Sequence, residues 1–243
     1  MHEALAYRLF RAAGVPAPRV GYAHVTMNGI NYGLYANVET YDKISLSRWF
    51  DSTKHLYEGS YWTDVFPWSY GNIQVDEGDA LDTSDLAGLA AVNGGNLQDW
   101  YREFQKITDT QEMLREWAVE SFLDHWDGYS HSIRNNYYLH SDDTGKFTMM
   151  PWGTDQTWNG ELNFTYTDNR GVMTSYCLQT PACYERYMGV FAEVQTAFRK
   201  LAMEQEVTDI AKVIDPYYNN DPRRPYDSGT VSWYRQNLVS RLR

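Results

Sequence analysis

The sequence is short of cations. Asp and Glu number 32 against 21 Lys and Arg, a net charge of −11 over 243 residues, and no Lys or Arg falls between His55 and Tyr101. Such a surface repels nucleic-acid backbones and anionic lipid headgroups, which excludes both as unassisted partners. Apolar runs of the roughly 20 residues a membrane helix needs are absent. No leader pattern is expected, since Met1 runs at once into an amphipathic helical pattern. There are only 2 cysteines, Cys177 and Cys183. Two are too few for a zinc centre without nearby His. The spacing in CLQTPAC can close a small disulfide loop, and the paired and free states are both open at this stage. Charge is unevenly placed: residues 199–243 hold 8 basic and 6 acidic side chains, so the acidity lies in the first 198.

Aromatic residues, by contrast, are plentiful, with 20 Tyr, 9 Trp and 9 Phe. They suit an aromatic-rich cleft or surface as well as a core. Apolar spacing predicts a helix over 2–13, closed by Gly14 and barred from continuing by Pro16 and Pro18. Strands are predicted over 20–29 and 30–40 around Asn28-Gly29, a strong hairpin signal. A short helix follows over 43–50, with Leu46, Trp49 and Phe50 inward. Residues 55–98 read as acidic and loop-rich, apart from a helix from Asp85 to about Val92. Met113, Leu114, Trp117, Ala118, Phe122 and Trp126 define a long helix over 110–126. A hairpin over 136–140 and 147–152 has alternating Tyr138/His140 and Phe147/Met149 faces. Residues 160–175 read as irregular, 181–213 as one or two helices, and the tail as helical. With no repeat and no low-complexity linker, the chain reads as one domain, 1–243.

The densest polar stretch runs from His125 to Gly160. A helix ends, the loop from Asp127 to Asn136 enters a hairpin, and that hairpin leaves through Pro151-Trp152-Gly153-Thr154-Asp155. A hairpin returns its ends to one neighbourhood, so Asp127, Asn136 and Asp155 are expected to converge. Two carboxylates and an amide offer hard oxygen ligands suited to Mg²⁺ beside phosphates. One carboxylate is left to orient a hydroxyl or accept its proton. The order of parts parallels protein-kinase-type phosphoryl transfer, although neither HRD nor DFG occurs.

The segments EALAYRLFRAAGVPAPR (3–19), MNGINYGLYANVE (27–39) and WDGYSHSIRNNYYLH…GKFTMMPWGTDQTW (126–158) resemble the spore coat protein H (CotH) kinase family of atypical protein kinases. The resemblance covers most of residues 1–160 and, more loosely, the C-terminal helices. It implies an α+β, divergent protein-kinase-like fold with a truncated N-terminal lobe (1–41) and a mainly helical C-terminal lobe (42–243). It implies ATP with Mg²⁺ or Mn²⁺ as cofactors, a protein substrate with Ser/Thr acceptors, and a spore-surface or extracellular location. By position, Asp127 resembles the catalytic-loop Asp, Asn136 the metal-binding Asn, and Asp155 the Asp that holds metal on the phosphates. Glu3 resembles the acidic residue of the αC helix, and Val38-Glu39 the hinge that meets adenine.

Departures bear on activity. The family commonly carries Asp after Pro-Trp, where Gly153 stands, and Lys where Glu58 stands. The basic partner of Glu3 and a phosphate-covering loop are not in the sequence, as in a fragment, a late reading frame or a degenerate relative. The alternative reading is therefore a catalytically impaired, pseudokinase-like module that binds nucleotide or protein. A metal-dependent hydrolase is a third class, without a His-rich motif to support it. Bland roles compete residue by residue. Asp127, Asn136 and Asp155 are each also ordinary turn residues. His125 and His131 flank the loop as bases or as loop hydrogen-bond formers. The acids at 76–85 lack EF-hand spacing and read as a solvated loop. Tyr61, Trp62, Phe66, Trp68 and Tyr70 read as packing over the core rather than as a stacking surface. Arg235, Arg241 and Arg243 read as a solvated helix end rather than a grip on an acidic substrate.

Overall fold

The computed structural model describes residues 1–131, 133–158 and 170–243. The first helix, α1 (His2–Ala12), buries Leu5, Ala6, Tyr7, Leu9 and Phe10. Strands β1 (Val20–Met27) and β2 (Ile30–Val38) form an antiparallel hairpin in the register Val20↔Val38 to Met27↔Ile30. Its turn residues Asn28 and Gly29 both take positive φ, 52° and 77°, as the tight turn requires. The short α2 (Lys43–Leu46) starts at Asp42, whose carboxylate caps the amides of Ile44 and Ser45. It stops four residues before the predicted end, though Leu46, Trp49 and Phe50 do pack together.

A four-stranded antiparallel sheet lies at the centre, in the order β4-β3-β5-β6. It is built from β3 (His55–Gly59), β4 (Gln74–Glu77), β5 (Tyr137–Ser141) and β6 (Phe147–Pro151). The β5–β6 hairpin matches its expected position, but it has no solvent face: every residue of both strands is buried. Tyr137, Leu139, Phe147 and Met149 join the main core, while Tyr138 and Met150 join a second cluster with Tyr41, Leu46 and Leu56. Helices on one side and the Tyr41–Phe50 segment on the other cover it, which overrides simple alternation. The loop-rich reading of 55–98 is corrected here: it contains β3 and β4.

The helices α3 (Ser84–Asn93), α4 (Leu97–Ile107) and α5 (Thr110–Leu123) follow β4. Helix α4 was not among the expected elements. It buries Trp100 and Phe104 and is capped by the Asn96 side chain. Helix α5 ends earlier than predicted because Asp124 enters the left-handed region at φ 50°. Its interior is buried almost all round, with Trp117 and Leu114 at 0% exposure. Each such side chain contributes about 1.5–3 kcal/mol of burial. Of the segment read as irregular, 160–169 lie outside the described residues. Helix α6 (Val172–Gln179) starts just beyond. Cys177 and Cys183 form a disulfide that joins α6 to the first turn of α7 (Pro181–Lys200). Then come α8 (Met203–Tyr218) and α9 (Ser228–Arg241). Among the described residues no helix is long and apolar enough to cross a membrane.

Candidate active site

The site grows from the junction of α5 with the β5–β6 hairpin. After Leu123 the chain turns at Asp124 and runs through His125, Trp126 and Asp127. Near its other end, the Trp158 amide donates to the Leu123 carbonyl at 2.6 Å. Asn136 enters β5, and its carbonyl accepts from the Trp152 amide at 2.9 Å, so both ends of the hairpin are tied beside the loop. Asp127 is buried, 5% exposed, and its Oδ2 accepts from the Asn136 side-chain amide at 2.8 Å. Its Oδ1 is buried with no hydrogen-bond partner. Gly153 holds φ 52°, and a Cβ there would stand 2.6 Å from Asn136 Oδ1. The Asn136 amide thus fills the space that a side chain at 153 would claim.

Asp155 is exposed on the 3₁₀ turn Thr154–Gln156, whose first residue is buried. It is within electrostatic reach of Asp127 and of Glu3 on α1. Burial, then partly offset by His125, raises the Asp127 carboxyl above its ordinary range, and the Asp155 charge adds to the rise. Burial and then Asp155 likewise raise Glu3. Helix α1 is fastened to this turn by His2, whose Nδ1 lies 2.7 Å from the Thr157 carbonyl. Asp127, Asn136, Asp155 and Glu3 are therefore gathered at one end of the sheet.

Val38 and Glu39 end β2 elsewhere. The Glu39 carboxylate meets Arg19 at 2.7 Å and Arg48 at 2.6 Å. Burial would raise it, but these cations hold it below its ordinary range. Its amide already donates to the Arg19 carbonyl at 2.9 Å, so this N–H is engaged within the hairpin.

Backbone strain collects around the loop. Asp124, Arg134, Asn136 and Trp158 are four of the seven non-glycine residues with positive φ among those described. Such conformations cost about 1–3 kcal/mol each and persist where surrounding contacts enforce them, often at functional sites. Among the described residues no group of three or more His, Cys, Asp or Glu could hold a metal ion by itself. A carboxylate with an amide still suits a hard cation that phosphate oxygens share. Two clefts lined by described residues lie away from this cluster. One of about 460 Å³ borders Arg11, Trp49, Phe50, Glu112 and Lys146. Another of about 670 Å³ borders Lys43, Phe50 and Asp79.

The aromatic loop departs from its expected packing role. Phe66 and Tyr70 pack on the core, but Tyr61, Trp62 and Trp68 are 59%, 52% and 80% exposed. The Trp62 amide donates to the Ile133 carbonyl at 3.2 Å, and the Arg134 guanidinium lies 5.4 Å from the Trp62 ring centre. This loop therefore runs alongside the Asp127–Asn136 loop. His131 is driven down to about 4, mainly by burial, and is neutral at pH 7. Sequence reasoning missed Glu120, whose carboxylate organises the loop from beneath. The sequence places Glu112, Glu116 and Glu120 at four-residue intervals on α5, a spacing that shares a face but does not tell that all three are buried.

Together, these features define a mixed α/β protein whose helix–loop–hairpin unit presents two carboxylates and an amide at one sheet end. The chain belongs to the CotH kinase protein family, whose model matches residues 1–240. The Inner spore coat protein H of Bacillus subtilis (strain 168) is 24% identical over 253 residues, spanning 93% of this chain and 67% of that protein. Invasin CotH2 of Rhizopus delemar is 26% identical over 118 residues, 48% of this chain and 19% of the fungal protein. Among solved structures, a chain of the Shewanella oneidensis MR-1 complex of HipA, HipB and operator DNA aligns with 99% of this chain and 54% of its own length. Its identity is 13% and its TM-score 0.35, a likeness too low to add to the assignment.

Proposed function

We propose that this chain is an atypical protein kinase of the CotH type, transferring the γ-phosphoryl group of ATP to Ser or Thr of a protein at a spore or cell surface. The hydrogen bond from Asn136 to Asp127 carries this reading, because it joins an acid and an amide across nine residues and leaves Asp127 Oδ1 without a hydrogen bond, 3.4 Å from His125 Nε2. In the kinase-like arrangement, residues 1–41 form the remnant of the N-terminal lobe and 42–243 the C-terminal lobe. Asp127 orients the acceptor hydroxyl and takes its proton as the new oxygen–phosphorus bond forms and the β–γ bridging bond breaks, releasing ADP. Its raised carboxyl makes it a better proton acceptor than an ordinary Asp.

The donor set fits Mg²⁺ or Mn²⁺: Asn136 Oδ1 and the Asp155 carboxylate are hard oxygens next to the Asp127 loop. A divalent ion there would neutralise charge on the phosphates. The family names of the relatives, a spore coat protein and an invasin, support a surface location.

A second reading is favoured by Gly153 and by the engaged Glu39 amide. With no acid at 153 and Asn136 occupying that space, the chain would bind nucleotide or protein without turnover. Incubation with γ-labelled ATP, Mg²⁺ or Mn²⁺ and a Ser-rich protein separates the two. Label on the acceptor supports the kinase. No label, together with a thermal shift on adding ATP and metal, supports the non-catalytic module. Neither label nor shift rejects both the kinase and the nucleotide-binding module.

A further inference from the structure

Glu120 sits one turn before the end of α5, fully buried. Its carboxylate accepts from the amides of Tyr129 at 3.0 Å and Ser130 at 2.7 Å, and from the Ser130 hydroxyl at 2.5 Å. Gly128 makes this approach possible, since a Cβ there would lie 2.2 Å from Glu120 Oε1. Between Glu120 and Asp127 stands the imidazole of His125, itself fully buried. Its Nδ1 is 3.4 Å from Glu120 Oε1 and its Nε2 is 3.4 Å from Asp127 Oδ1. The Asp127 loop is thus held from below by one carboxylate, directly at 129–130 and through a ring at 125–127.

We infer that Glu120 and His125 are positioning residues: Glu120 fixes the loop, and the His125 ring, seated between the two carboxylates, bridges it to Asp127 and sets that carboxylate's orientation. Two carboxylates without a cation between them would leave uncompensated buried charge, which is costly. A protonated ring between them relieves it. His131 also acts on His125, and Glu116 and Arg170 act on Glu120; the groups that raise His125 are Glu120, Asp127 and the Gly153 carbonyl. Burial disfavours the imidazolium, but these three outweigh it and raise its pKa. The same contacts keep Glu120 below its ordinary range, against the effect of burial, with His125 and Ser130 as the stabilising partners. Asp127 in turn feels His125 as the strongest influence opposing its own burial. The inference rests on the proposed phosphoryl transfer only for what Asp127 accomplishes; the Glu120–His125–Asp127 contacts stand without it.

Two measurements on the full chain test it. In the first, the ring nitrogens of His125 are followed by NMR as pH is varied. The expected result is a midpoint above the ordinary 6.5 that falls in Glu120→Gln. A midpoint at or below the ordinary 6.5 in the unmodified protein overturns the inference, whether or not any variant folds. An unmoved midpoint in folded Glu120→Gln overturns it as well. In the second, initial rates of phosphoryl transfer are compared. Glu120→Gln and His125→Gln are expected to lower kcat by about 10²-fold with KM for ATP nearly unchanged, as for a misplaced catalytic group. Unchanged kcat in both overturns the inference. If the unmodified protein transfers no phosphate, the proposed function fails, and the His125 titration alone decides the positioning role.

Discussion

The two sheets among the described residues are both antiparallel, yet they are held together in opposite ways. The β1–β2 hairpin is largely exposed and is fixed by its turn and by polar ties. Asp221 accepts from the Leu34 amide at 2.9 Å, and Arg223 lies 3.6 Å over the Tyr32 ring. The β4-β3-β5-β6 sheet is sandwiched, and β5 and β6 are buried throughout. The candidate site hangs from the buried sheet, where strands drawn from distant parts of the chain keep the loop ends fixed. A positioned acid needs such a support, because an error of about 1 Å can cost 10²-fold in rate.

The contrast is open to direct attack. Tyr137→Ala in β5 removes a fully buried ring and is expected to destabilise by about 3–5 kcal/mol. Tyr35→Ala on the hairpin, 47% exposed, is expected to change stability by about 0.5 kcal/mol or less. Urea unfolding of both reads the difference, and equal losses would erase the distinction between the sheets.

The left-handed glycines offer a second, smaller comparison. Gly29 has open space around it, so Gly29→Ala should cost about 1 kcal/mol for its φ of 77° alone. Gly153→Ala adds a clash with Asn136, whose amide is bonded to Asp127, and should cost about 1–3 kcal/mol. A cost at 153 no greater than at 29 would mean that Asn136 moves aside freely.

Acid titration sharpens the account of the buried sheet. Asp85, at the start of α3, accepts from Ser141 of β5 at 2.5 Å and Tyr57 of β3 at 2.6 Å, and lies 2.9 Å from His55. Burial would raise it, but these partners outweigh burial and bring it down to about 2 from 3.8. A depressed carboxylate stabilises the fold above its unfolded value, and that contribution is lost as pH falls from about 3.8 through about 2. Asp85→Asn should flatten the pH dependence of the unfolding midpoint over that window. An unchanged slope would show that the cluster does not hold the sheet to α3.

How much of this was legible in the sequence follows the same division. The hairpin announced itself locally through Asn28-Gly29, and β5–β6 through two apolar runs around a turn at 141–146. Strands β3 and β4 did not, because Gln74–Glu77 is only four residues long and finds its partner across 14 residues of loop. Helix α4 carried Trp100 and Phe104 at helical spacing, but the turn-rich stretch before it masked its start. Within the site, Asp127 and Asn136 were predictable partners because a hairpin joins their neighbourhoods. Glu120 was hidden, since an acid on an apolar helix reads as solvent-facing until the loop that bonds it is in place. Gly153 looked like a loss of an acid, and only the fold brings Asn136 against it.

The central claim is that Asp127 and Asp155 act on one shared substrate complex. Initial rates of phosphoryl transfer from ATP in Asp127→Asn, Asp155→Asn and the double variant test it most directly. The account predicts that each single change lowers the rate by about 10²–10⁴-fold, and that the double variant is no worse than the weaker single one, as for groups that work as a unit. Full activity in either single variant, or losses that simply multiply in the double, would contradict it.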